Sequence, residues 1–488
     1  MIPRKILESA SVKELYRFMI ENRISRKVLF GIVSKRLYRE LVLENAEARP
    51  RRVQELKHAY MMALFHGFDR AMTRGWVSKS VTQRLLDTVL ENVIVNERNP
   101  VGPGEHPLLL VVSPTGRCNI RCEGCYAASD SANGAGLGFD VFDRIVAEKR
   151  KLWDSYLTIV SGGEPFLWRD EGRSLLDLVE RHPTEFFMVY TNGTLITDEL
   201  AKRMGELGNI SPALSLEGFE NETDARRGAG VFAKILDAFA SLRRHGVPFG
   251  ISVTPTRKNW DIVTSDRFID FCFEEQGAVY AWCFQYMPIG SSPDLDLMLT
   301  PENRLEMLRR THHIVRDKKV LFADFWNSGI VSYGCISAGR PGGQLYIDWN
   351  GDVMPCVFVP YAVDNIHSLF ERGDNLDTLL ETPFFRRIRA WQDEFGFAQP
   401  AGDVRNWLHP CPIRDDFEYL RRAAIETDAR PINEAAAEAL RNLDFCRRMA
   451  ESAGEYACMS DPVWDREFAE PAAQERRTRN GNQQRRAR

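Results

Sequence analysis

Cys118, Cys122 and Cys125 fall within SPTGRCNIRCEGCYA, directly after the apolar run LLLVVS. Three thiolates at this spacing can hold three irons of a four-iron, four-sulfur (4Fe–4S) cube. The fourth iron is then left without a protein ligand, and an open iron position is a place where a small molecule can be bound and reduced. Structural zinc is the alternative, since closely spaced cysteines are common there too. Zinc closes with a fourth ligand, which a distant residue could supply.

Four further motifs sit where apolar runs end. Gly162-Gly163-Glu164-Pro165 closes LTIVSGGEP; paired glycines let main-chain groups approach a ligand, and carbonyls with a carboxylate offer acceptors to an ammonium group. In Ser215-Leu216-Glu217-Gly218, strand alternation sets Ser215 and Glu217 on one face, as a diol requires. Asn192, in YTNGT, either joins them or makes the Asn-Gly turn. Arg227, and equally Arg226, in DARRGAG could grip a carboxylate in two-pronged fashion.

The cysteine stretch Cys118-Asn-Ile-Arg-Cys122-Glu-Gly-Cys125-Tyr126 resembles the signature of the radical S-adenosylmethionine (SAM) enzymes. That resemblance implies catalysis: SAM chelating the open iron and cleaved by one electron to a 5′-deoxyadenosyl radical. It implies that Gly162, Gly163, Glu164 and Pro165 meet the SAM ammonium group, Asn192, Ser215 and Glu217 the ribose, Arg227 the carboxylate, and the Val253 backbone the adenine. The sixth strand brings Gln285 and Tyr286 toward the mouth, where they could meet a substrate, with simple barrel packing as the alternative for Tyr286. One departure stands out. Many members carry an aromatic residue before the third cysteine, against the adenine, whereas this chain has Gly124 there and Tyr126 after it.

A second centre is expected further on. Cys335 opens and Cys356 closes the stretch GCISAGRPGGQLYIDWNGDVMPC, whose Asn350-Gly351 reads as a hairpin turn. The stretch resembles the opening of the SPASM and twitch domains, which hold auxiliary iron–sulfur clusters. A full SPASM domain uses seven cysteines, but only Cys335, Cys356, Cys411, Cys446 and Cys458 remain here. One auxiliary cluster at most is therefore expected, held by Cys335, Cys356 and Cys411. Its fourth ligand is left open among His409, Asp415, a late cysteine and the substrate.

These motifs need a scaffold that gathers strand ends. From Leu108 short β-rich runs alternate with helical periods: strands near 108–115, 157–165, 186–193, 212–218, 250–256 and 280–288, with helices between them and another at 301–318. Six such units in series predict a parallel α/β sheet with its ligands at the C-terminal strand ends, a partial (β/α)6 TIM-type barrel. The same partial barrel is what the resemblance implies. The expected organisation is an N-terminal helical region (1–100), the radical SAM barrel (105–318), a Cys-containing SPASM/twitch-like domain (319–415), a helical extension (416–470) and a disordered basic tail (471–488).

With 44% apolar and 27% charged residues, the chain reads as globular. A net charge of −4 gives no reason to expect nucleic acid. Charge is nevertheless uneven, with 14 Lys and Arg against 7 Asp and Glu in residues 1–60. There Leu15, Phe18, Met19, Ile24, Leu29, Ile32 and Val33 recur at helical spacing, favouring a subdomain packed on the barrel over a basic surface for an anionic membrane. No apolar run is long enough to span a bilayer, no secretory signal is evident, and the ten cysteines are too sparse for a disulfide scaffold, so a cytoplasmic setting is expected, with the membrane surface as the alternative. The expected partners are a peptide, protein or lipid substrate and a reductase such as flavodoxin or ferredoxin. A non-catalytic metal-binding module is the reading from a different class.

Overall fold

The computed structural model describes residues 18–44, 48–89, 105–129, 131–132, 134–291 and 293–469. Leu15 and the tail 471–488 lie outside them. Six strands follow one another with helices between: β1 (Leu109–Val112), β2 (Leu157–Val160), β3 (Phe186–Thr191), β4 (Ile210–Leu216), β5 (Gly250–Val253) and β6 (Tyr280–Cys283). Each pairs in parallel with the next, in chain order. Crossover helices such as Phe139–Trp153, Asp198–Leu207 and Val231–Arg244 cover the outside, as the parallel arrangement demands.

The series does not stop at six. Leu321–Asp324 forms β7, parallel to β6, after the helix Pro301–Arg316. At the opposite edge β8 (Gln344–Ile347) pairs in parallel with β1, and the Asn350-Gly351 turn returns the chain as β9 (Asp352–Met354). A last short strand, β10 (Asp364–Asn365), completes an open sheet in the order β10-β9-β8-β1-β2-β3-β4-β5-β6-β7. The segment after residue 318 thus extends the barrel sheet at both edges. Its helical turns at Ile366–Glu371, Leu376–Leu380 and Pro383–Gln392 are too short to show a sustained period in sequence. Two of them start at asparagines whose side chains accept from His367 N and Asp377 N.

Alternation along the strands divides the barrel into two apolar layers. Val112, Val160, Val189, Leu214, Leu216, Ile251 and Val253 join the layer beneath the helices. Val111, Ile159, Met188, Ala213, Tyr280 and Tyr346 face the interior. The C-terminal helix Leu443–Glu467 packs on Pro301–Arg316, which also meets the N-terminal helix Arg51–Thr73. Between them Arg304 and Asp415 form an ion pair with side chains 3% and 2% exposed, and the guanidinium lies 3.8 Å from the Tyr456 ring centroid.

The N-terminal helix Arg23–Tyr38 departs from its expected role. Val33 and Leu37 pack toward Met61 and Phe65, and the Phe30 and Phe65 rings meet at 5.2 Å. Ile24 and Ile32, grouped with Val33 by spacing, face solvent instead. Arg26 is buried, with Nε on Asp69 Oδ1 at 2.6 Å and Nη2 on Thr73 Oγ1 at 2.9 Å, so it is a structural cation.

Candidate active site

The loop leaving β1 carries all three cysteines to the C-terminal end of the sheet. Two glycines let the loop after β2 dock on it. Gly162 has φ +119°, and a Cβ there would lie 2.6 Å from Thr115 O; one on Gly163 would overlap Arg117 O. The close approach is secured by Gly163 N donating to Thr115 O (2.9 Å) and Glu164 N to Arg117 O (2.8 Å). The glycines are needed first to seat the cysteine loop, and both also face the cavity it borders.

That cavity, of about 190 Å³, is lined by Cys118, Cys122 and Cys125. Asn192, Ser215, Arg226, Arg227, Ser252, Thr254, Gln285 and Tyr286 add polar groups from the ends of β3 to β6. Two sulfurs already have donors: Asn192 Nδ2 to Cys118 Sγ (3.7 Å) and Arg227 Nη1 to Cys122 Sγ (3.8 Å). Asn192 makes its turn as well, its Oδ1 accepting from Thr194 N at 2.9 Å. Burial pushes the Cys118 thiol up to about 11, with Glu164, Cys122 and Cys125 adding to the effect and a backbone hydrogen bond from Ile120 opposing it. Metal loading at this loop therefore expels protons.

The donor set suits a cube better than a single ion. Among the described residues no group of three or more His, Cys, Asp or Glu is placed to hold one metal ion. Thiolates around a cube each meet a different iron and need not converge, whereas zinc requires one tetrahedron. His106, twelve residues before Cys118, stands at the opposite end of β1 and does not line the cavity.

Four expected SAM contacts, Glu164, Pro165, Glu217 and Val253, do not reach the cavity wall. The Val253 side chain belongs to the layer beneath the helices, and its neighbours Ser252 and Thr254 line the wall. Glu164 is buried behind the wall, its carboxylate accepting from Thr191 Oγ1 (2.8 Å), Asn192 N (2.9 Å) and Phe166 N (3.2 Å). Burial still pushes that carboxyl up to about 7. It ties the β2 loop to the end of β3, while Pro165 opens the short turn Pro165–Leu167 behind it. Glu217 shares the inward face with Ser215, as alternation requires, but Arg226 (2.7 Å) and Arg227 (2.5 Å) converge on its Oε1 and Thr254 N donates to Oε2. The carboxylate thus positions two guanidiniums at the rim.

Gly124 finds its explanation in Tyr286. Its φ is +63°, and a Cβ there would stand 2.6 Å from Cε2 of the Tyr286 ring. The ring from the end of β6 fills the space beside the third cysteine that a side chain at 124 would need. Tyr126 lies on the other side, its hydroxyl 2.6 Å from Ser161 Oγ.

A second cavity, of about 250 Å³, is lined by Cys335, Cys356 and Cys411, with Trp282, Phe325, Ile336 and Phe358 as a wall shared with the first. Burial pushes the Cys411 thiol up to about 12, with Cys335 and Asp415 reinforcing it. None of the protein residues considered as a fourth ligand lines this space. His409 meets Asp461 at 3.2 Å, Asp415 is held by Arg304 and accepts from Cys411 N at 3.0 Å, Cys446 contacts Ala439 O, and Cys458 is exposed.

An open parallel barrel with a three-cysteine loop at its C-terminal mouth defines a catalytic iron–sulfur protein. Residues 112–269 match the radical SAM superfamily, and residues 335–402 match the iron–sulfur cluster-binding SPASM domain. The chain is a radical SAM enzyme with a SPASM domain, and a 4Fe–4S cluster, SAM and auxiliary iron–sulfur chemistry come with those two domains. It is similar to the AdoMet-dependent heme synthase of Methanosarcina barkeri, 26% identical over 53% of this chain and 79% of that one. Mycofactocin maturase MftC of Mycolicibacterium smegmatis is 27% identical over 58% of this chain and 72% of its own. The structure of Streptococcus suis SuiB bound to S-adenosylmethionine aligns with a TM-score of 0.48 at 17% identity, over 64% of this chain and 73% of that one.

Proposed function

We propose that this enzyme abstracts a hydrogen atom from an uncharged carbon centre of a peptide or protein substrate. The carrying observation is that Cys118, Cys122 and Cys125 line one cavity with the Gly162-Gly163 turn, which joins the metal loop to a ligand-binding wall. When bound, the cluster and SAM would supply one-electron chemistry able to take a hydrogen atom from an unreactive C–H bond. Cys118, Cys122 and Cys125 would hold the cluster, the Gly162 and Gly163 main chain would receive the SAM amino group, and Ser215 with Asn192 would meet its ribose. Arg226 and Arg227, oriented by Glu217, meet its carboxylate. Tyr286 packs where the aromatic residue absent at 124 would stand and serves the adenine in its place. Cys335, Cys356 and Cys411, which line the second cavity, would hold one auxiliary cluster.

The substrate class follows from the wall beyond these groups. Ile159, Tyr190, Trp282, Phe284, Phe325 and Phe358 are apolar or aromatic, and the charged side chains in the lining are Arg226 and Arg227, both ion-paired to Glu217. A substrate bearing several carboxylates, such as a tetrapyrrole, would find little to compensate its charge there. A neutral side chain of a peptide fits, and the SPASM domain order together with similarity to a maturase supports that class. Anaerobic incubation of the reconstituted enzyme with SAM, reductase and cell extract tests the reading. A peptide or protein of altered mass is expected, and alteration confined to small molecules or lipids would overturn the substrate assignment.

A further inference from the structure

The helix Arg23–Tyr38 is apolar on two sides. One side packs on Arg51–Thr73 through Phe30, Val33 and Leu37. On the other, Ile24, Val28 and Ile32 are 77%, 55% and 57% exposed, and Phe18 just before the helix is 62% exposed. Residues four apart lie on consecutive turns of one face, so the three form a continuous ridge. A helix that only covers a core needs a single apolar stripe, and a second exposed one marks an interaction surface.

The charges carried by this helix are of one sign. Arg23, Lys27 and Lys35 are exposed, and RISRKVLFGIVSKRLY contains no acidic residue. Arg26 is committed to Asp69, and Arg36 to Glu40 at 2.6 Å. Lys27 and Lys35 lie one turn before and after Gly31, close to the ridge direction, where long stems can lie along an apolar phase with the ammonium groups at its surface. Among the described residues no helix is long and apolar enough to cross a membrane, so a helix of this kind lies flat.

We infer that the helix Arg23–Tyr38 docks this enzyme on the surface of an anionic lipid bilayer, with Ile24, Val28 and Ile32 entering the headgroup boundary and Arg23, Lys27 and Lys35 facing lipid phosphates. Charge complementarity selects this occupant over a second copy of the chain, since a two-fold contact through the ridge would bring the same lysines together. The surface is independent of the active-site reading. Failure of either leaves the other standing, because docking is read on the whole protein without turnover.

The test is sedimentation of the full chain with phosphatidylcholine vesicles containing about a quarter phosphatidylglycerol, against pure phosphatidylcholine. Binding to the first is expected, with loss in high salt. Ile24→Ser, Val28→Ser and Ile32→Ser combined, or Lys27→Glu with Lys35→Glu, should each lower the partition coefficient at least about tenfold without shifting the melting temperature. Val28→Trp fluorescence should move to the blue on adding the anionic vesicles. No sedimentation at low salt, undiminished binding by the serine variant, or a wild-type dimer that the serine variant dissociates would each overturn the inference.

Discussion

Replacing Gly163 by alanine should unseat the cysteine loop. A Cβ at this position would overlap Arg117 O and stand 2.6 Å from Arg117 C and 2.9 Å from Gly116 C, all main-chain atoms that no side-chain rotation can clear. Separating the two loops stretches the Gly163 N–Thr115 O and Glu164 N–Arg117 O bonds, now 2.9 and 2.8 Å. Each is worth about 1 kcal/mol net, and a buried partner left unmade adds roughly 1–3 kcal/mol, so the local cost is on the order of 2–5 kcal/mol. At about 1.4 kcal/mol per factor of ten, that is at least tenfold against the loop geometry in which the three thiols line one cavity. The assay is iron and acid-labile sulfide per chain after anaerobic reconstitution, with Gly134→Ala as control, since a Cβ there meets nothing within 4 Å. Iron equivalent to one cluster should be lost from Gly163→Ala and retained in the control. If Gly163→Ala loads iron like the wild type, the glycine pair is not what seats the loop.

Other outcomes follow from the same geometry. Cys411→Ser should lower reconstituted iron by about the content of one cluster, whereas Cys458→Ser, on an exposed residue, should leave it unchanged; iron analysis of the two variants checks the auxiliary assignment. Asp415→Asn strands a buried Arg304 and should cost about 3–5 kcal/mol, read as a lower denaturant midpoint. Burial drives the His312 imidazole from 6.5 down to about 4. The folded protein thus keeps it neutral where the unfolded chain binds a proton, and stability falls as pH drops from about 6.5 toward about 4. At about 1.4 kcal/mol per pH unit this removes roughly 3 kcal/mol, and His312→Phe should flatten that part of a pH–stability curve measured by urea unfolding.

Much of the scaffold was legible because the barrel repeats one pattern. β1 to β6 all lie within the predicted runs or extend them by no more than two residues, since apolar strands bounded by turns announce themselves. β7 was missed because LFAD is short and carries no glycine or proline at its ends. The Asn350-Gly351 hairpin was readable from turn chemistry, but its parallel pairing with β1 is a long-range contact that no local signal carries. In the site, residue type located the motifs and hydrogen bonding decided their use. Glu164 and Glu217 are carboxylates in the right places whose oxygens are taken up by neighbours, Thr191 and Asn192 for one and two arginines for the other. Strand parity sends the Val253 side chain into the core and those of Ser252 and Thr254 to the wall, whereas the contact expected at 253 was through its backbone, which parity does not decide. The packing of the Tyr286 ring against Gly124 is also a long-range contact that the sequence does not announce. Periodicity likewise could not tell that Ile24 and Ile32 face away from Val33 and Leu37, because both sets repeat at helical spacing.

The most direct test is release of 5′-deoxyadenosine by anaerobically reconstituted protein supplied with SAM and a strong reductant. Wild type should release it, while Cys122→Ala, keeping its fold by circular dichroism, should release none. Equal release from both, or a reconstituted protein holding zinc and no sulfide, would contradict the account.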